Sequence, residues 1–170
     1  MTTIGNWAFY KTGIVEINIP NSVTNIGAGA FYQLIRGNLS NVTFIREIKG
    51  GAFADNQIQS IILPNGVTSI SNFLSATATP WLGAFANNPI TTVVIPPSLA
   101  KGGISGYFFN QDSRAFGRIS GNAITRITIP AGMDERTLAD TFEEAFVNFW
   151  INQNKAGGTF IKRGLIWSKE

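Results

Sequence analysis

The sequence predicts a repeat solenoid, built mainly from short parallel β-strands and closed by a helix plus β-hairpin C-terminal cap. Three observations carry that prediction. The pair Ala-Phe returns at Ala8-Phe9, Ala30-Phe31, Ala52-Phe53, Ala84-Phe85 and Ala115-Phe116, at intervals of 22, 22, 32 and 31 residues. Between the pairs lies a proline-closed tetrad: Ile17-Asn18-Ile19-Pro20, Ile61-Ile62-Leu63-Pro64, Val93-Val94-Ile95-Pro96 and Ile127-Thr128-Ile129-Pro130. Val42-Thr43-Phe44 holds the same place without its proline. A third signature, Val23-Thr24-Asn25-Ile26, comes back as Val67-Thr68-Ser69-Ile70. Signatures in fixed order across five units mark a repeat architecture before any single element is assigned.

Each tetrad alternates apolar and variable positions, the period of a short strand. β-Branched residues dominate it, and proline stops the ladder. One unit has too little apolar surface to bury alone. Five strands stacked in parallel form one sheet and turn the Ala-Phe and Val/Ile positions inward. Alanine lets the next coil approach, and the phenylalanine ring fills the space. The longer intervals have a local cause. Pro20 to Ala30 is 10 residues, whereas Pro64 to Ala84 is 20 and Pro96 to Ala115 is 19. Five repeats over 1–133 therefore carry insertions at 71–82 and 98–114.

Residues 134–170 break the pattern and read as the cap. Asp134 to Gln153 is expected as a helix, because Leu138, Phe142, Ala145, Phe146, Phe149 and Trp150 recur at helical spacing. Asp140, Glu143 and Glu144 favour its early turns, and Gly157-Gly158 is expected to end it. Thr159 to Lys162 and Leu165 to Ser168 then form a hairpin turning at Arg163-Gly164. An array of this kind needs an atypical end over its last apolar rung.

Composition excludes several functions. Apolar residues are 44 % of the 170, enough for a sizeable core, and charged residues only 14 %, against roughly 25 % on average. Sixteen Asn, 15 Thr and 11 Ser supply a neutral hydrogen-bonding surface instead. With no His and no Cys, imidazole bases, thiolate nucleophiles and zinc sites are excluded. A net charge of +3 is too small and scattered for a nucleic-acid footprint. No apolar run reaches membrane-spanning length. Met1-Thr2-Thr3-Ile4 lacks the features of a signal peptide, so the chain is expected to be intracellular or to have lost its export signal. Lys101-Gly102-Gly103 reads as a glycine-rich turn, not a phosphate loop. Asp134, Glu135, Asp140, Glu143 and Glu144 are expected to favour a helix N-terminus, and the variable strand positions supply only Glu16 towards the two cleft acids that glycoside hydrolysis needs. Catalytic, cofactor and metal residues are therefore expected to be none, with no cofactor.

Ile-Gly-x-x-Ala-Phe followed by Ile-x-Ile-Pro-x-x-Val-Thr-x-Ile resembles the BspA-like leucine-rich repeat of bacterial surface proteins, over about residues 4–130. The tail is similar to a terminal segment on repeat proteins of treponemal spirochaetes: Phe149-Trp150, then Lys155-Ala156-Gly157-Gly158-Thr159-Phe160, then Ile166-Trp167-Ser168. The resemblance implies a leucine-rich-repeat-type arc with strands lining its concave face, at the cell surface or secreted. It implies adhesion and protein binding and carries no catalytic residues. The departures are the missing proline after Phe44, the two insertions, and the lack of a signal peptide or N-terminal cap.

On that arrangement the variable strand positions form the candidate ligand-binding concave face. Glu16, Asn41, Ser60, Thr92 and Arg126 make one ladder; Asn18, Thr43, Ile62, Val94 and Thr128 make the next. Ile62 and Val94 give an apolar spot with a polar rim. The competing reading is ordinary β-propensity on a solvated sheet. The insert aromatics Trp81, Tyr107, Phe108 and Phe109 are either exposed anchors or a cover for the flank, and Trp7 is expected near the exposed first rung. The expected partner is protein, such as a host extracellular protein. The rival readings are a self-associating homo-oligomer and carbohydrate binding through the insert aromatics.

Overall fold

The computed structural model describes residues 1–14, 18–33, 45–71, 83–101, 124–142 and 144–170. Along the chain run β1 (Thr3–Ile4), β2 (Asn25–Ile26), β3 (Glu47–Ile48), β4 (Ser60–Ile62), β5 (Ser69–Ile70) and β6 (Thr92–Val94). They are followed by β7 (Arg126–Ile129), helices α1 (Glu135–Thr141) and α2 (Glu144–Asn152), then β8 (Gly158–Arg163) and β9 (Ile166–Lys169).

Repetition at 22 residues sets like beside like. Ile4, Ile26, Ile48 and Ile70 pair in register in an all-parallel sheet, β1-β2-β3-β5, and all four are buried. This sheet grows from the Ile-Gly and Val-Thr-x-Ile signatures and corrects the expectation of a single sheet. Its strands are two residues long, too short for alternation to register in sequence, yet one isoleucine inward and one polar residue outward suffice for a rung.

The proline-closed tetrads form the second sheet. Here β4, β6 and β7 are parallel, with Ser60, Thr92 and Arg126 in one row and Ile62, Val94 and Thr128 in another. Ile61, Val93 and Ile127 lie between those rows and face the core. The strands β4 and β6 begin one residue before their tetrads. Of the strand expected over 17–19, residues 18 and 19 carry no strand. Its first residue and all of 42–44 lie outside the described residues. After three of the tetrads the proline carbonyl accepts a turn-closing bond, from Val23 to Pro20 at 2.9 Å, from Val67 to Pro64 at 3.1 Å and from Leu99 to Pro96 at 3.1 Å. The fixed φ of proline favours that turn, which returns Val23, Val67 and Leu99 to the core.

The Ala-Phe turns make the third side. Phe9, Phe31, Phe53 and Phe85 stack at 5.4, 5.2 and 5.2 Å between ring centroids. Ala30, Ala52 and Ala84 are fully buried beside them, as expected where coils approach closely. Backbone bonds such as Phe31 N to Ala52 O and Phe53 N to Ala84 O, both 2.8 Å, tie each turn to the next. Two buried asparagines complete the tie. The Asn56 amide donates to Phe31 O at 2.9 Å, and that of Asn88 to Phe53 O at 2.8 Å.

The C-terminal segment departs from expectation in three places. The single helix over Asp134 to Gln153 is two, α1 and α2. A straight helix of that length would run about 30 Å. Phe142 and Phe146 meet edge to face at 5.4 Å, and the break lets Phe146 reach Phe160 at 5.5 Å and Trp167 at 4.8 Å. Burying these rings outweighs one continuous turn of helix. Each helix then has its own first-turn acid, Glu135 and Glu144. Secondly, α2 ends through left-handed Asn154 and Lys155 (φ 54° and 55°), not at Gly157-Gly158. Gly157 has a different duty: a Cβ there would lie 2.3 Å from Ala131 N, so only glycine lets the chain cross the end of β7. Thirdly, the hairpin turns at Gly164-Leu165, and β8 joins β7 antiparallel, with β9 beyond it.

Candidate functional site

The five-stranded sheet β4-β6-β7-β8-β9 presents a continuous outward face. Its inward residues Ile61, Val93, Ile127 and Phe160 are buried. Alternation therefore points Ser60, Thr92, Arg126 and Ile161 outward in one row, and Ile62, Val94, Thr128 and Thr159 in the next. Six of the ten expected face residues thus stand in two straight rows. Asn18 is exposed but off any strand. Glu16, Asn41 and Thr43 lie outside the described residues, as do Trp81, Tyr107, Phe108 and Phe109.

Polarity along this face is uneven. Ile62 is 62 % exposed beside half-buried Val94. In the middle Arg126 grips Glu170 with both terminal nitrogens, at 3.2 and 2.5 Å, and Thr128 shares a 2.9 Å hydrogen bond with Thr159. At the far end the hairpin tip exposes Leu165 (90 %) and Ile166 (73 %). On the parallel strands β4 and β6, the side chains of Ser60, Thr92 and Ile62 have no such pairing among the described residues. The other sheet differs, because its outward polar groups engage one another. Asn25 donates to Glu47 at 3.0 Å, Thr24 to Asn25 at 2.7 Å, and Lys49 lies 3.4 Å from Glu47.

A third exposed feature lies on the turn side. The ring of Trp7 sits over Gly29 and meets Tyr10 at 5.5 Å and Tyr32 at 6.3 Å. Tyr32 donates its hydroxyl to the Asp55 carboxylate. Burial, then that hydrogen bond and the carboxylate's charge, push the Tyr32 phenol well above its ordinary range. Sequence patterning places Trp7 near the exposed first rung, and it is exposed there, but does not single out Tyr10 and Tyr32. A signal was present: Trp7 stands where the next units have Gly29 and Gly51, and Tyr10 and Tyr32 where later ones have Ala54 and Ala86. Asn56 and Asn88 were equally legible as the end of Ala-Phe-Ala-x-Asn.

Among the described residues no three acidic side chains converge on a possible metal position, and no helix is long and apolar enough to cross a membrane. The stacked parallel rungs agree with the comparison against known families. A BspA type leucine rich repeat region matches residues 1–116 in six copies. The chain belongs to the BspA-type leucine-rich repeat family. Its repeat fold of short parallel strands fits that family. The family match counts six copies where the Ala-Phe pairs mark five units. BspA-type repeat domains are generally protein-binding and adhesion modules, typically non-enzymatic, of bacterial surface or secreted proteins. No curated protein and no solved structure matches the chain.

Proposed function

We propose that this BspA-type chain is a non-enzymatic adhesion module that binds a protein through the outward face of its five-stranded sheet. Residues 1–133 act as a solenoid of repeats, and residues 134–170 as its cap. The native setting is the surface or exterior of a bacterium resembling the treponemal members, and the partner is a host extracellular protein. The concave-face residues of this reading are Ser60, Ile62, Thr92, Val94, Arg126 and Thr128. One observation carries it: Ile62 stands 62 % exposed on β4, the first strand of this sheet among the described residues, in register with Val94 and beside uncharged hydroxyl groups. An apolar spot within a polar rim is the anatomy of a protein interface. The salt bridge of Arg126 with Glu170 holds the hairpin's C-terminal end against the parallel strands, so the face continues onto the cap.

The test is biolayer interferometry against a panel of purified host extracellular-matrix proteins. Ile62→Asp is expected to weaken the binding seen by about tenfold or more, since a charge there would stay unpaired against an apolar contact. Thr68→Asp, just before β5 of the other sheet, is expected to leave it unchanged. Equal binding by the wild type and Ile62→Asp, or loss only with Thr68→Asp, would place the interface elsewhere.

A further inference from the structure

Trp7 has φ of 58°, a region that a bulky side chain rarely adopts. The same place in the next two units belongs to glycine, Gly29 at 61° and Gly51 at 68°. Glycine holds this conformation without penalty, whereas tryptophan does so at a cost on the order of 1–3 kcal/mol. The side chain that incurs it is not hidden: Trp7 is 44 % exposed, and its neighbour Tyr10 42 %. Retained strain beneath an exposed aromatic points to a task for the ring rather than for the fold.

The surroundings define what the ring can receive. Tyr10 and Tyr32 occupy equivalent positions in adjacent coils, their ring centroids 5.5 Å apart. The residue after each, Lys11 and Gln33, is left-handed, and Asp55 and Asn87 continue the series in the next coils. Backbone bonds from Lys11 N to Tyr32 O, Gln33 N to Ala54 O and Asp55 N to Ala86 O keep this row in step. The rings thus lie beside a row of polar side chains, one per coil, with Trp7 edge-on to both tyrosines (83° and 62°) and the tyrosines tilted by 42°. Its charges cancel: the Lys11 ammonium lies 5.1 Å from the centre of the Tyr10 ring, and the Asp55 carboxylate takes the Tyr32 hydroxyl. The strip therefore complements an uncharged ligand.

We propose that Trp7, Tyr10 and Tyr32, with the ladder Lys11, Gln33, Asp55 and Asn87, form a binding strip for a neutral, unbranched β-linked polysaccharide. The outer face of the Trp7 ring, opposite Gly29, receives the C–H face of a pyranose, and Gln33 and its neighbours in the row receive its hydroxyls. A linear pyranose chain advances by about one coil per ring. Peptides fit the spacing less well. A polyproline helix repeats its face about every 9 Å and an extended strand about every 6.7 Å, against the 5.5 Å between tyrosines. The strip belongs to the turn side, apart from the sheet face assigned to protein.

Isothermal titration calorimetry with cellohexaose, chitohexaose and mannohexaose tests the assignment on the whole chain. At least one should bind, and Trp7→Gly should weaken that binding about tenfold. Because glycine relieves the left-handed strain, Trp7→Gly should keep the wild-type circular dichroism and melting temperature. Tyr32→Ala should weaken binding in the same way. No binding of any of the three sugars, undiminished binding by Trp7→Gly, or a polyproline peptide bound at this strip in preference to the sugars would overturn it.

Discussion

At the scale of single residues, the turn side sets a buried column against an exposed one. Phe53 is fully buried and stacked on both faces at 5.2 Å. Phe53→Ala removes a ring that two coils hold in place, leaving a cavity that stiff neighbours cannot close. Urea denaturation should show a loss of about 3–5 kcal/mol. Tyr32 behaves differently because its hydroxyl is ionisable. Its folded-state phenol is raised, by burial first and then by Asp55, while an unfolded tyrosine titrates at about 10. The neutral form is therefore favoured by folding. The stability so gained is complete below about pH 10 and is lost as pH climbs beyond it towards the folded-state value. Spectroscopic titration of the three tyrosines should show one ionising well after an ordinary phenol. Tyr32→Phe should remove that late phase and flatten the alkaline fall in melting temperature. A normal titration of all three would remove the basis for the Asp55 contact.

Among elements, the junction between β7 and the hairpin decides how the parallel stack ends. Ile127 and Phe160 pair across it and both face the core. Trp150, fully buried in α2, donates its indole N–H to Ala156 O at 3.0 Å and so fixes the loop leading into β8. That loop passes so close to Pro130 and Ala131 that Gly157 has no room for a Cβ. The obstacle is backbone, which cannot swing aside as a side chain would. Gly157→Ala should cost about 2–4 kcal/mol by thermal denaturation and detach the hairpin first. The Trp167 environment should report that detachment as red-shifted fluorescence. Gly164→Ala is the control for position: a Cβ there meets nothing, although its φ of 64° still carries strain. A milder loss is expected. If Gly157→Ala proved the milder of the two, the close crossing would be wrong.

Over the whole molecule, order is one-dimensional: each coil touches chiefly its neighbours, so stability adds up rung by rung. Interior turns have a partner on both sides. Phe53 N bonds to Ala84 O, and Ala52 O in turn accepts from Phe31 N. The turn of Trp7 and Phe9 is bonded to the next coil alone among the described residues. Hydrogen exchange followed by mass spectrometry should therefore protect the amides of Phe31 and Phe53 most, and those of Trp7 and Phe9 least. Uniform protection along the stack would contradict additive rungs and indicate one cooperative unit. Low charge fits this architecture. At 14 % charged residues, the surface depends on Asn, Thr and Ser, which can satisfy each other between coils as Thr24, Asn25 and Glu47 do.

The spacing of Ala-Phe, Ile-x-Ile-Pro and Val-Thr-x-Ile was sufficient on its own to determine stacking, family, the buried column of rings and the rows Ser60-Thr92-Arg126 and Ile62-Val94-Thr128. A fixed period forces equivalent residues into contact, so a count along the chain becomes a distance in space. Tertiary structure alone decided the rest. The two-residue strands of the other sheet exist only because neighbouring coils supply their hydrogen bonds. The helix breaks between α1 and α2, after Thr141, because rings on β8 and β9 offer Phe146 a better burial than a straight axis would. The 22-residue period sets Tyr10 beside Tyr32, but that the Trp7 ring lies over Gly29 and meets both tyrosines edge-on was decided in three dimensions. Each of these outcomes depends on what lies one coil away, and no local pattern of apolar and polar residues encodes that distance.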